Sequence, residues 1–134
     1  MSIGLFGAST IPVLEQAANF GQARHNVLAG NIANVDTPGY RAHDLSTAVF
    51  QQRLQEAIES RNSGSATADD FMADDGQSLK LTDAFETVLR HDDGKVSLEQ
   101  QVAELTKNQM QYNTAISIMT QQFRLLQAAI SERA

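Results

Sequence analysis

The stretch VSLEQQVAELTKNQMQYNTAISIMTQQFRLLQAAIS, residues 96–131, decides the fold, because its apolar residues return at alternating intervals of four and three. A repeat that averages about 3.5 residues keeps one stripe of a helix aimed at a partner helix. Ser97 and Gln100 are spaced as in a capping box, so we expect a helix over 97–131, about 50 Å long. The stripe consists of Leu98, Val102, Leu105, Gln109, Tyr112, Ile116, Met119, Phe123, Leu126 and Ile130.

A second apolar pattern predicts an N-terminal helix over 11–34. Pro12 falls in its first turn, where a missing N–H has no intrahelical partner to lose. Small residues near the middle, among them Ala18 and Gly21, would let another backbone approach closely. The stripe of this helix consists of Ile11, Leu14, Ala18, Gly21, His25, Leu28 and Ile32.

The segment NIANVDTPGYRA, residues 31–42, predicts the end of this helix and a turn motif over 35–44. Pro38 restricts Thr37 to extended geometry, and Pro38-Gly39 suits the central positions of a type II turn. The Asn34 side chain can bond to the freed backbone groups. Tyr40 is then presented beside a rigid turn, either folded back on its own helix or anchoring a neighbouring subunit.

The middle of the chain has weaker patterns. Phe50, Leu54 and Ile58 recur at helical spacing and predict a short helix over 45–60. The stretch 61–80 is rich in Gly, Ser, Ala and Asp and predicts a flexible linker, while 82–89 is expected to add a helical turn. We therefore expect one all-α domain over 1–134, with long N- and C-terminal helices forming a coiled-coil-like bundle, a short middle helix and a flexible acidic linker.

Composition excludes several functions. The net charge of −6 disfavours nucleic-acid binding, which needs clustered Lys and Arg against phosphates, and the absence of cysteine excludes disulfides and thiolate metal sites. No apolar run approaches the length of a membrane span, and the first residues lack the pattern of a cleaved secretory signal, so we expect neither.

Charge is unevenly distributed along the chain. No residue from Asn108 to Phe123 is charged, whereas a solvated helix usually carries charges opposite its apolar stripe. Since protein interfaces deplete charge at their core, we interpret both terminal helices as covered on several sides. The charged residues outside 36–107 are Glu15, Arg24, Arg124, Glu132 and Arg133.

Catalytic and metal sites are not indicated. His25, His43 and His91 lie far apart, none in a metal-binding spacing, and His25 on the apolar stripe is read as a packed residue. The DDG stretches do not match a calcium loop, and phosphate-binding and nucleophile motifs are absent. We expect no catalytic residue, metal, cofactor or small-molecule substrate, and an enzyme ranks last among the possible functions.

The turn and both terminal helices together resemble the axial proteins of the bacterial flagellum, the family of rod, hook and hook-associated proteins. The match to the N-terminal motif of this family is carried by Asn31, Ile32, Ala33, Asn34, Thr37, Pro38, Gly39 and Tyr40. Within the family, the short chain and the runs TPGYRAHDL and VSLEQQVAELTKNQMQYNTAISIM are most similar to a proximal rod protein.

This resemblance implies a structural, non-enzymatic subunit of the basal-body rod that polymerises through its terminal helices, transmits torque and is required for motility. It implies export from the cytoplasm by the flagellar export apparatus and a final location in the periplasmic part of the rod. The implied partners are copies of the chain, other rod proteins, the ring or adaptor at the rod base and the export apparatus.

The apolar stripes then become candidate assembly surfaces, which we expect to order fully only against neighbouring subunits. A soluble helical adaptor or secretion chaperone is the alternative, although it gives no reason for the turn motif. The expected interface residues are Leu14, Leu28, Ile32, Leu105, Tyr112, Ile116, Met119, Phe123 and Leu126.

Overall fold

The computed structural model describes residues 10–63, the backbone of 85–86, and residues 98–132. Two long helices pack along each other, which confirms the all-α prediction with paired N- and C-terminal helices. In chain order the elements are α1 (Ile11–Ala33), β1 (Asp44–Leu45), α2 (Thr47–Asn62), β2 (Phe85–Glu86) and α3 (Leu98–Glu132).

The helices α1 and α3 run antiparallel. The Gln122 side-chain amide donates a hydrogen bond to the Thr10 hydroxyl at the start of α1, and Asn31 near the end of α1 bonds to Gln101. At about 1.5 Å per residue, α1 is roughly 35 Å long and α3 roughly 50 Å. The last turns of α3 therefore extend past the first residue of α1.

A small apolar core joins α2 to α1. The Ser46 hydroxyl accepts the Val49 N–H at 3.3 Å and caps α2, which lets the helix begin directly after β1. The Phe50 ring then stacks on Phe20 of α1, with ring centroids 4.1 Å apart, and the two rings and Leu45 are all buried. Half-buried side chains packed against this cluster are Ala23, Val27 and Leu54.

The two strands form a ladder of only two residue pairs. They run antiparallel, with Asp44 opposite Glu86 and Leu45 opposite Phe85. The helical turn expected over 82–89 is therefore wrong at 85–86. A short segment with weak apolar periodicity does not form a stable helix by itself, and pairing with β1 provides hydrogen-bond partners for its backbone instead. Most of the expected linker, residues 64–80, and the expected cap at Ser97 lie outside the described residues.

None of the helices in the described ranges is long and apolar enough to cross a membrane.

Candidate assembly interface

The backbone of α1 approaches α3 most closely at Gly21. The Asn108 side-chain amide, which is almost completely buried, donates to the Gly21 carbonyl at 2.7 Å. A Cβ atom on Gly21 would lie 3.4 Å from both Cβ and Cδ2 of Tyr112. The expected close approach along small residues of α1 is therefore confirmed at this glycine.

Arg24 joins three elements through one buried guanidinium. Its Nε and Nη2 donate to the two carboxylate oxygens of Asp44 at 2.9 Å each, and Nη2 also donates to Glu104 Oε2 at 2.9 Å. The Arg24 side chain is only 6% exposed. Hydrogen bonding to Asp44 is the main reason that the pKa of Arg24 lies above its ordinary value, so the guanidinium stays charged and holds β1 and α3 against α1.

Asn31 forms a second, neutral junction about two turns further along the same face of α1. Its amide nitrogen donates to the His43 carbonyl at 2.6 Å and to Gln101 Oε1 at 3.0 Å. Its amide oxygen accepts the Tyr40 hydroxyl at 3.0 Å and the His43 N–H at 3.1 Å. A buried asparagine with two donated and two accepted bonds has its full hydrogen-bonding capacity used.

The turn that follows α1 has the geometry expected from its sequence. The Asn34 side chain and N–H both donate to the Gly30 carbonyl, which ends the helix. The Tyr40 N–H donates to the Thr37 carbonyl at 3.2 Å, closing a turn with Pro38 and Gly39 at its centre. Gly39 has φ of 77°, as the third position of a type II turn requires.

Tyr40 folds back on its own helix through its hydroxyl. The ring nevertheless remains 37% exposed and lies edge-on to His43, with ring centroids 6.2 Å apart. The hydrogen bond to Asn31 fixes the position of the ring relative to α1. Its exposed part is therefore held in one orientation at the surface of the subunit.

On α3, two neighbouring rows of side chains face α1, and we call them the covered face. One of these rows belongs to the apolar stripe predicted from the sequence. In the other row, each residue comes one position earlier in the chain than the residue that the stripe predicted. Asn108 and Ala115 replace Gln109 and Ile116, because the close approach at Gly21 leaves room for a small or hydrogen-bonding side chain and not for a branched one. The covered face consists of Leu105, Tyr112, Met119 and Leu126 in one row and Gln101, Asn108, Ala115 and Gln122 in the other.

Large apolar side chains on both sides of the covered face are left in solvent. The first strip lies on one side and is between 37% and 65% exposed. The second strip lies on the other side, with Ile118 41% and Leu125 71% exposed. The first strip consists of Val102, Ile116, Phe123 and Ile130, and the second of Ile118 and Leu125.

The second strip continues into an open apolar groove of about 850 Å³. The groove is bordered by α1 through Leu14 and by α3 through Ala115, Met110 and Ile118. Met110 is 67% exposed, so the groove is an accessible surface and not an internal cavity.

The residues expected at an assembly interface fall into three groups. Ile116 and Phe123 are exposed, as an intermolecular role requires. Leu28 is 1% exposed, and a side chain in that position stabilises the subunit itself. The remaining side chains are half-buried, and four of them belong to the covered face; this group consists of Leu14, Ile32, Leu105, Tyr112, Met119 and Leu126.

Metal-ligand geometry is not found in the part of the chain that the structure describes, where no three His, Cys, Asp or Glu side chains converge. His43 bonds to Asn31 through its backbone N–H and carbonyl, and its ring contacts only the edge of Tyr40 among the described aromatic side chains. His25 is half-buried beside Gly21 and Tyr112, in agreement with its reading as a packed residue, and its Nδ1 has no hydrogen-bond partner among the described residues. His91 lies outside the described residues.

Sequence reasoning missed the polar junctions. The charge distribution had already isolated Arg24 in a charge-poor helix, and that isolation was the available signal for a buried ion pair. Asn108 gave a weaker signal, as a polar residue beside the apolar stripe. The partners Asp44, Glu104 and Gln101 become identifiable only once the turn and α3 are placed against α1.

The comparisons with known proteins agree on one family. A family model described as "Flagella basal body rod protein" matches residues 11–41, which span α1 and the turn. The chain is 32% identical to the flagellar basal body rod protein FlgB of Aeromonas hydrophila, over 78% of this chain and 80% of that protein. It is 27% identical to FlgB of Bacillus subtilis over 92% and 95%, and 28% identical to FlgB of Aquifex aeolicus over 87% and 88%. No solved structure matches the chain.

Proposed function

The chain belongs to the FlgB family of flagellar basal body rod proteins, and we propose that neighbouring rod subunits pack on the first and second strips of α3. It is a structural subunit of the flagellar basal body rod and serves flagellum-dependent motility.

Exposed apolar side chains without charged neighbours are the observation that carries the proposal. A strip of Ile, Val and Phe on a free subunit is unfavourable, and covering each half-exposed side chain contributes about 1 kcal/mol. From Asn108 to Phe123 no residue of α3 is charged, so over this segment another helix can approach without burying an unpaired charge. Lys107 and Arg124 stand just outside it, and such long side chains can keep their charged ends in solvent. The Arg24 and Asn31 junctions support this surface from behind, because they hold α3 in one position against α1.

The polar junctions give the subunit its rigidity in this proposal. The turn is tied to α1 by Asn34 and to α3 through Asn31, so a load applied to α3 is transferred to the first helix and to the turn. A subunit that transmits torque requires such cross-links between its elements. The expectation that the terminal helices become fully ordered only on assembly remains part of the proposal.

The partners follow from the same proposal. Copies of the chain and other rod proteins would cover the strips, the ring or adaptor at the rod base would meet the lowest subunits, and the flagellar export apparatus would deliver the chain. Its role would be mechanical and not enzymatic, since its relatives are rod proteins and the junction side chains are engaged with one another.

Replacing Ile116 with Asp tests the proposal. Ile116→Asp places a carboxylate in the first strip, and we expect it to abolish incorporation into basal bodies and swimming, because the neighbour would have to bury that charge. The matched control is Ser117→Asp, which adds the same charge to the next exposed residue on another face of α3 and should leave swimming intact. Both free variants should melt within a few degrees of the wild type. A swimming Ile116→Asp strain would contradict the proposal.

A further inference from the structure

Between residues 116 and 130, the side chains of α3 that are apolar or face α1 form four adjacent rows along the helix. The two inner rows form the covered face and are occupied by α1 of the same subunit. Both outer rows are apolar and exposed, with Ile116, Phe123 and Ile130 on one side and Ile118 and Leu125 on the other. This half of α3 thus has apolar side chains over a wider arc than a helix with a single partner needs.

One additional helix cannot cover both strips. They lie on opposite sides of the covered face, and α1 stands between them. Knobs-into-holes packing lets a helix fill only the rows next to its own axis. Covering both strips in the rod would therefore require two contacts, each with a separate neighbouring helix.

We propose that these two contacts are the two halves of one interface, so that the first strip of one copy of this chain packs on the second strip of the next copy. This inference rests on the proposed assembly of the subunit through α3. A second copy is favoured as the occupant because each strip is continuous with the α1–α3 contact, and a copy supplies a helix of the same length whose exposed apolar side chains have the same seven-residue spacing, at 116, 123 and 130 and at 118 and 125.

The two strips have complementary shapes. The first strip projects branched and aromatic side chains, Ile116, Phe123 and Ile130. The second strip is shorter and opens into the groove beside Leu14 and Ala115, where the small side chain of Ala115 leaves space. Projecting side chains that enter a groove form a contact between unlike surfaces, and such contacts add copies without closing on themselves.

Thiol cross-linking in assembled basal bodies tests the pairing. The chain has no cysteine, so single substitutions introduce unique thiols, and every target side chain is already exposed and outside the polar junctions. Phe123→Cys or Ile130→Cys marks the first strip, and Ile118→Cys or Leu125→Cys marks the second. Strains that carry one marker, both markers in one chain, or the two markers in separate co-expressed chains are treated with a short bismaleimide and analysed on denaturing gels.

The expected result has three parts. Chains with both markers should give a ladder of dimers, trimers and longer products, co-expressed single-marker chains should give a dimer, and single-marker chains alone should give none. Dimers from one single-marker chain alone would show that like strips pair and would overturn the inference. Cross-links only to other proteins would also overturn it, because the occupant would then not be a copy.

The same strains separate this inference from the proposed function. If both thiols lose reactivity on assembly but do not cross-link between copies, the strips are covered and only the proposed pairing is wrong. If both thiols react in basal bodies as fast as in the free subunit, the proposed function fails as well.

Discussion

Asn31 provides the sharpest test of how the turn is held. Asn31→Ala removes four hydrogen bonds of 2.6 to 3.1 Å at a side chain that is 3% exposed. Each bond contributes about 1 kcal/mol net, and water can replace part of what is lost, because His43 and Tyr40 are exposed and Gln101 is half-buried. We expect a loss of about 2–4 kcal/mol, which lowers Tm by roughly 10 °C in a chain of this size.

The matched control is Asn26→Ala, an exposed asparagine on the same helix, which should leave Tm unchanged or slightly raised through helix propensity. A second variant, Asn31→Asp, keeps the acceptor oxygens for Tyr40 and His43 but turns a carboxylate toward two other oxygens, so it should destabilise as well. Thermal unfolding by circular dichroism and amide exchange over 35–44 are the assays. If Asn31→Ala has the same Tm as Asn26→Ala and the amides of the turn stay protected from exchange, the Asn31 junction does not hold the turn.

Two further predictions concern the contact between α1 and α3. Gly21→Leu should lower Tm by several degrees, because atoms beyond Cβ would overlap Tyr112 and overpacking costs about 1–3 kcal/mol. The control Gly30→Ala should not lower Tm, since its Cβ meets only the Tyr40 hydroxyl, at 4.0 Å. Equal Tm values for the two variants would show that the approach at Gly21 is not tight. Arg24→Met should destabilise by about 2–4 kcal/mol, because Asp44 and Glu104 would be left facing each other without a cation. The folded-state pKa of Arg24 is raised, so its contribution is fully present below the unfolded-state pKa and is lost only at strongly alkaline pH. The Tm difference between wild type and Arg24→Met should therefore be constant from about pH 7 to pH 9, and a difference that shrinks across that range would contradict the assignment.

The helices and the turn could be read from the sequence because their signals are local. Apolar periodicity marks α1 and α3, and Pro38-Gly39 specifies a turn whose glycine must take positive φ. The family resemblance rests on the same local signals. Each of these features involves residues within a few positions of one another, so no tertiary information was needed.

Features that depend on long-range contacts could not be read in this way. The row of α3 that faces α1 is set by how closely Gly21 allows the helices to approach, and the heptad pattern does not contain that distance. Arg24 and Glu104 are 80 residues apart in sequence. The pairing of 85–86 with β1 likewise overrides a weak local tendency.

Chemical protection of one thiol tests the central claim most directly, namely that the apolar strips of α3 are covered by neighbouring subunits in the rod. Ile130→Cys places a unique thiol in the first strip, and Gln55→Cys on the exposed face of α2 serves as a reactivity reference in the free subunit. Maleimide labelling should be fast at both positions in the purified subunit. In isolated basal bodies, labelling at 130 should slow by at least roughly tenfold, since each 1.4 kcal/mol that opposes local opening slows the reaction about tenfold. An unchanged rate at 130 in intact basal bodies would contradict the claim.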